Sequence, residues 1–374
     1  MLSKPALKFG LIGCGSFGQF CLRALSTIDE VQLLAVADTD TKRARDTARE
    51  FGVAFCENPN KLISNPDIEM IHIVTPPDTH YELSMAALRS GKHVLCEKPL
   101  ALSLSEVDEM LQLAEENGKI IPVNFILRYV PLVDLVKKII DCKVLGEPIR
   151  AFFENYATDE NLKPDHWFWN KDKSGGIFVE HGVHFFDLYS HWLGDANMIW
   201  AYTTNRESTR QEDRVFCFLQ YDSGVVASHY HGFDQPKVID RQIHRLLFER
   251  GDMVVHGWVP EWFEIEALLD DSKIRQLEEI FKPTHRQTIK KLNVTEQNIQ
   301  ARGKEFRAEK RVFTEYRQNI DKLDLYTAAI QNLVRDQIKF IHDRKHRRII
   351  TEENGRQALR LAVAARKFAG DSYR

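Results

Sequence analysis

The stretch FGLIGCGSFGQFCLRAL, residues 9–25, constrains this chain more than any other. A short apolar run, Phe9 to Ile12, meets Gly13-Cys14-Gly15-Ser16-Phe17-Gly18, and a helical pattern follows through Phe20, Leu22 and Leu25. The next apolar run, Val31 to Ala37, ends in Asp38, twenty positions after Gly18. Strand, glycine turn, helix, strand and terminal acid in this order form a dinucleotide-binding unit. Each part has a physical task. Gly13, Gly15 and Gly18 allow a tight turn and close approach of a pyrophosphate, and the helix opening at Ser16 and Phe17 offers it free N–H groups. A carboxylate at Asp38 accepts hydrogen bonds from ribose hydroxyls and repels a 2′-phosphate, which favours NAD. Lys42 and Arg43 nearby keep NADP open.

Further strands are expected at 68–75 and 93–97, with a helix between them over 80–90 that stops at Gly91. Strands alternating with helices imply a parallel sheet, whose ligands sit beyond the C-terminal strand ends. Thr75-Pro76 through His80, and Cys96-Glu97-Lys98-Pro99, occupy those ends. At 374 residues the chain exceeds one ordinary core, so two domains are expected. Fifty-one basic against 54 acidic residues give a net charge of −3, with no general attraction to nucleic acid or an anionic membrane. Six scattered cysteines without a C-x-x-C pair suggest neither a zinc knuckle nor a disulfide framework. With no signal-like or membrane-spanning apolar run, these thiols point to the cytoplasm.

A second stretch, GGIFVEHGVHFFDLYSH at 175–191, spaces Glu180, His184, Asp187 and His191 by four, three and four, with His181 beside them. On a helix these would form one polar stripe. Three readings of that stripe compete: a metal site, an acid/base site, and a solvated face whose Phe178, Phe185, Phe186, Leu188 and Trp192 enter a core.

The glycine turn, TPPDTHYELSMAALRSGKHVLCEKPLALS at 75–103, NFILRYVP at 124–131 and SGGIFVEHGVHFFD at 174–187 together resemble the family of glucose–fructose oxidoreductase and inositol dehydrogenase. The resemblance covers residues 7–131 and returns around 145–260 and 323–370. It implies an α/β N-terminal Rossmann domain with a doubly wound parallel sheet, residues 1–123. A C-terminal α+β domain with a large, mostly antiparallel open sheet, residues 124–374, would follow, with the active site in the cleft between the domains. It also implies roles. Lys98 matches the lysine of a Glu-Lys-Pro motif, near nicotinamide and substrate, with Glu97 beside it at the cofactor. His184 matches the catalytic histidine. Glu180 stands where aspartate is most common, to orient His184 or hold a substrate hydroxyl. His80 matches the histidine of a Thr-Pro-x-x-x-His segment, Pro77 replaces an asparagine, and Arg128 matches an arginine near cofactor or substrate. Lys98–Pro99 resembles an often cis bond. Gly182 interrupts the presumed helix and the family uses no metal there, so the stripe is expected to serve acid/base chemistry with no metal. Asp187 is expected to hold structure, and His181 and His191 to be satisfied or solvated.

Alternating runs at 147–156, 197–205, 213–221, 224–231, 242–249 and 252–258 read as strands of the second domain. The resemblance implies that the sheet's open face pairs with further subunits, giving a homodimer or homotetramer. Trp167 in His166-Trp167-Phe168-Trp169 is a candidate to stack on a sugar or cyclitol, or to fill core. The charged segment 270–318 is expected to be an inserted helical excursion or a flap. A final helix is expected near 352–370. The expected activity is NAD-dependent oxidation or reduction of a secondary alcohol or ketone on a sugar, inositol or related polyol. His184 would move the proton and Lys98 stabilise the oxygen. An NAD-dependent glycosidase and a non-enzymatic sensor, both on this fold, are the alternatives.

Overall fold

The computed structural model describes residues 5–282, 287–301 and 303–371. The chain opens with β1 (Leu7–Ile12), α1 (Ser16–Leu25), β2 (Val31–Ala37), α2 (Thr41–Phe51), β3 (Ala54–Cys56), α3 (Pro59–Ile63), β4 (Met70–Ile73), α4 (His80–Arg89), β5 (His93–Cys96) and α5 (Leu104–Glu116). The five strands pair in parallel in the order β3-β2-β1-β4-β5. Every residue of β4 and β5 is buried, as parallel strands covered on both faces must be. Local chemistry fixes the ends. Ser103 and Glu106 form a reciprocal capping box on α5, and Gly91 takes a φ of +72° where α4 has ended.

Next come α6 (Pro131–Asp141), β6 (Pro148–Thr158), α7 (Lys171–Ser174), a single π-helical turn at Phe178–Gly182 and α8 (Val183–Leu193). Then follow β7 (Ala196–Asn205), β8 (Glu212–Tyr221), β9 (Val226–Gln235), β10 (Arg241–Phe248), β11 (Gly251–His256), β12 (Trp262–Leu269) and α9 (Asp271–Ile280). The chain closes with β13 (Gln287–Lys291), β14 (Asn298–Ala301), β15 (Lys304–Arg307), β16 (Lys310–Arg317), α10 (Lys322–His342) and α11 (Glu352–Asp371). Nine strands form one sheet in the order β13-β16-β12-β11-β10-β6-β9-β8-β7, antiparallel except where β6 runs beside β9. The expected fold class is therefore present in both of its parts.

Two expectations need correction. Among the described residues of 270–318, α9 and a short 3₁₀ turn at Val294–Glu296 are helical, while β13 and β16 extend the large sheet and β14 and β15 form a small ribbon, so the segment is not a helical excursion. The reason is visible in β16, where Val312 and Thr314 alone are buried and charged residues alternate around them. β13, the edge strand, is exposed throughout, and charge at such an edge discourages unwanted pairing while hiding the strand signal. The second correction concerns which residues pack together. One compact unit comprises Met1–Tyr129, Asp165–Asp187 and Tyr326–Val363, and the other Val130–Pro164, Leu188–Leu325 and Ala364–Arg374. Residues 165–187 and 326–363 thus join the first unit rather than the second. Aromatic packing holds them there: the Tyr326 ring lies 6.0 Å from Phe17 and 5.0 Å from Phe20, centroid to centroid. Gln331 Nε2 also donates to the carbonyl of Ala24 at 2.9 Å.

Candidate active site

The glycine turn is built for backbone crowding. Gly13 has a φ of +104°, and a Cβ there would lie 2.1 Å from the Val74 carbonyl oxygen. At Gly18 a Cβ would lie 1.9 Å from the carbonyl oxygen of Gly13, so any side chain would push α1 off β1. Gly15 differs, since a Cβ there would meet only the end of the Arg43 side chain, at 3.9 Å. Open space over Gly15, at the uncapped start of α1, fits a pyrophosphate approaching the N–H groups of Ser16 and Phe17. Asp38 braces this turn. Its two carboxylate oxygens accept from the backbone N–H of Cys14 at 2.7 Å and of Asp40 at 2.8 Å. Arg43 Nε stands 4.0 Å from Asp38, and its guanidinium is hydrogen-bonded to Asp40 at 3.2 Å.

At the ends of β4 and β5, Thr79 Oγ1 lies 2.6 Å from Thr75 Oγ1 and donates to the Pro76 carbonyl at 2.8 Å. His80 has no exposed surface, and its nitrogens lie 2.7 Å from the Pro99 carbonyl oxygen and 2.8 Å from that of Thr75. Burial pushes its pKa below the ordinary value, against two carbonyls that favour the protonated ring. With a carbonyl oxygen within 2.8 Å of each ring nitrogen, His80 is packed between the two strand-end loops. The Lys98–Pro99 peptide is cis. Glu97 is buried, with Oε1 accepting from Asn124 Nδ2 at 2.6 Å.

Lys98 meets a residue 82 positions away: Nζ donates to the Glu180 carbonyl oxygen at 2.9 Å and to the Glu180 carboxylate. Glu180 sits in the π-helical turn, and π turns recur at functional sites because the extra residue re-aims side chains. Gly182 permits it, since a Cβ there would lie 3.0 Å from the Phe186 ring. The polar row consequently does not act as one stripe. Glu180 engages Lys98, while Asp187 takes Arg128, whose Nε and Nη2 donate to the two carboxylate oxygens at 2.8 and 2.7 Å. Burial pushes the Asp187 carboxyl above the usual aspartate range, with Arg128 pulling the other way. His181, expected to be satisfied or solvated, is buried against Phe185, 5.0 Å between centroids.

His184 is buried, with its ring 6.1 Å from that of Phe125. Burial, reinforced by the charge on Lys98, holds its pKa well below the ordinary histidine value, so the imidazole is neutral at pH 7. Lys98, Glu180, His184, Arg128 and Asp187 all belong to the first unit. The charge of Lys98 reaches His184, and Lys98 and Arg128 are each held by a counter-charge, Glu180 and Asp187. Trp167 lies half-buried on a short 3₁₀ turn, its ring 5.2 Å from His166. Sequence reading missed two groups, His72, which meets Glu97, and Tyr326, which meets Phe17 and Phe20. His72 could have been noticed as a polar residue within an apolar run, whereas Tyr326 lies about three hundred residues from Phe17 and Phe20, which it touches, and gave no local signal.

Comparison with known proteins identifies the family. A family model described as "Oxidoreductase family, NAD-binding Rossmann fold" matches residues 7–125, and one for the GFO/IDH/MocA C-terminal domain matches residues 133–247. The chain is 29% identical over 228 residues to scyllo-inositol 2-dehydrogenase (NAD(+)) of Bacillus subtilis, covering 59% of this chain and 65% of that protein. It is 29% identical over 190 residues to myo-inositol 2-dehydrogenase of Thermotoga maritima, covering 50% and 55%. The matched part thus spans between half and two thirds of these relatives. A solved levoglucosan dehydrogenase, in complex with NADH and L-sorbose, superposes with a TM-score of 0.78 at 18% identity over 98% of both chains, a likeness of fold. Matches to both domain models, in order along the chain, place this protein in the GFO/IDH/MocA oxidoreductase family.

Proposed function

We propose that the protein reversibly oxidises a secondary alcohol on an uncharged sugar, inositol or related polyol, using NAD. The observation that carries this reading is Lys98, tied to Glu180, in one compact unit with the buried, neutral His184. Gly13, Gly15, Gly18, the N–H groups of Ser16 and Phe17, and Asp38 would hold the dinucleotide, with Thr75, Pro76 and Glu97 towards its other end. Bound nicotinamide would supply the hydride acceptor. His184 takes the hydroxyl proton at an imidazole nitrogen and returns it in the reverse direction, a task for a base that is neutral before the reaction. Lys98 donates to the reacting oxygen and stabilises its negative charge, and Glu180 aims the ammonium. The inositol dehydrogenases among the relatives support this substrate class.

The charge pattern supports an uncharged substrate. Lys98 has Glu180, and Arg128 is held at two nitrogens by Asp187, so neither cation is left without a carboxylate. A phosphate or carboxylate entering here would have to displace a buried anion from its partner. Neutral inositols and aldoses are therefore expected to exceed their phosphates in kcat/KM by at least about tenfold. Reduced-nicotinamide absorbance from purified protein with NAD, against a panel of both kinds, checks this. A phosphorylated substrate turned over best would sink the uncharged reading, and silence across the panel would move attention to glycosides.

Asp38 sets the cofactor. Asp38→Ser is expected to weaken NAD binding by about tenfold and to narrow the preference for NAD over NADP, because the carboxylate that accepts the ribose hydroxyls and repels a 2′-phosphate is gone, while Arg43 keeps Asp40 as its partner. Separate titrations with the two nucleotides measure the ratio, and an unchanged ratio would remove Asp38 from the adenosine site.

We further propose that the large sheet's half-exposed face pairs with a second copy. Tyr156, Phe216 and Tyr230 cluster there with centroids 5.3 and 4.9 Å apart, and Trp200 on β7 is 42% exposed. Among the described residues no helix is long and apolar enough to cross a membrane. All six cysteines are free, which supports a reducing compartment such as the cytoplasm.

A further inference from the structure

β4 reads Met-Ile-His-Ile, and the histidine has no exposed surface. A parallel strand covered on both faces ordinarily carries an aliphatic side chain at such a place. His72 Nε2 lies 3.1 Å from Glu97 Oε1, the oxygen that also accepts from Asn124 Nδ2. A carboxylate as partner places the ring proton on Nε2. Among the described residues His72 Nδ1 and Asn124 Oδ1 have no hydrogen-bond partner, so each side chain is spent on Glu97 alone. The backbone holds the three in register: Glu97 N donates to the Ile73 carbonyl at 3.0 Å, and Asn124 N to that of Cys96 at 2.8 Å. Cys21 Sγ lies within 4.8 Å of the donor atoms of His72 and Glu97, and burial pushes its thiol well above the ordinary pKa. Two hydrogen bonds already account for the approach of His72, Asn124 and Glu97, so a protonated thiol closing the pocket suffices and no ion is required.

The sheet order says what this carboxylate is for. Asp38 ends β2 and the glycine turn ends β1, so a dinucleotide with its adenosine at β2 and its pyrophosphate at β1 continues towards β4 and β5. Glu97 and Lys98 stand at the end of β5. We infer that His72 and Asn124 are positioning residues that fix the Glu97 carboxylate towards the nicotinamide-ribose half of the cofactor. Holding Glu97 also fixes the start of the Lys98 backbone. This inference rests on the dinucleotide reading above, and not on the identity of the polyol.

The test compares NADH with ADP, which lacks the nicotinamide riboside. Binding of each to the full chain is measured by fluorescence titration for wild type, His72→Leu, His72→Gln and Asn124→Ala. His72→Leu is expected to lose about tenfold in NADH affinity, the scale of one hydrogen bond to a buried charged group, while ADP affinity stays within about twofold. His72→Gln, whose amide can place a donor near the position of Nε2, is expected to keep NADH affinity within about threefold. Asn124→Ala removes the other donor and should repeat the NADH-selective loss, which keeps the test alive if a leucine at 72 does not fold. Equal losses for NADH and ADP, or equal losses in the Leu and Gln variants, would mean that His72 only fills space, and the inference fails. A wild type that binds neither nucleotide overturns the dinucleotide reading along with it.

Discussion

Replacing Lys98 with methionine is expected to lower kcat on the oxidised polyol by about 10²–10³-fold, the usual cost of removing a donor aimed at a developing oxyanion. The variant carries a second defect. Glu180, whose side chain is only 12% exposed, loses its cation, and a buried charge stripped of its partner destabilises by about 3–5 kcal/mol at full burial and less at this one. The two effects separate in the double variant Lys98→Met, Glu180→Gln. Its melting temperature should return towards that of wild type because no unpaired carboxylate remains, while turnover should stay low because the cation is still missing. Recovery of turnover along with stability would mean that Lys98 serves the fold and not the reaction.

Removal of the imidazole in His184→Ala should cut kcat by about 10²–10⁴-fold, the range for a positioned general base, and leave NADH binding within about twofold. The pH dependence is as telling as the loss. His184 works as a base only when neutral, and burial together with Lys98 holds its pKa well below the ordinary 6.5. The rate in the oxidation direction should therefore fall on the acid side only well below pH 6.5. Lys98→Met removes one of the two influences that depress the pKa, so the residual activity of that variant should lose its acid limb at a higher pH than wild type. An acid limb that stays in place would show that His184 does not sense Lys98, and equal losses of NADH binding and kcat in His184→Ala would reduce it to a packing residue.

Much of this was readable before any coordinates, and the division follows the range of the interactions. The strand, turn and helix around Gly13–Gly18, the acid at Asp38, and the stop of α4 before Gly91 are set by neighbours within a few residues, so spacing alone reports them. The strands β6 to β11 alternate because one sheet face is buried, and they were legible to within a few residues. β16 was not, because its charged residues flank just two buried ones and mimic an amphipathic turn. The pairing of Lys98 with Glu180, and of Arg128 with Asp187, spans 82 and 59 positions, and no local period can announce it. The row of Glu180, His184 and Asp187 was visible as a pattern, but its members go to different partners on distant segments, Glu180 to Lys98 and Asp187 to Arg128, and that is a tertiary fact.

The first compact unit is assembled from three separated pieces of chain, 1–129, 165–187 and 326–363. During synthesis at roughly 5–20 residues per second, the nucleotide turn and Lys98 leave the ribosome several seconds before Glu180 and His184, and well before the helix that carries Tyr326. Until that helix emerges, Phe17 and Phe20 lack the ring that covers them, and α1 presents an unfinished apolar surface to the cell. Splitting the gene after residue 129 would yield a fragment with the phosphate cradle but neither its aromatic cover nor its proton acceptor.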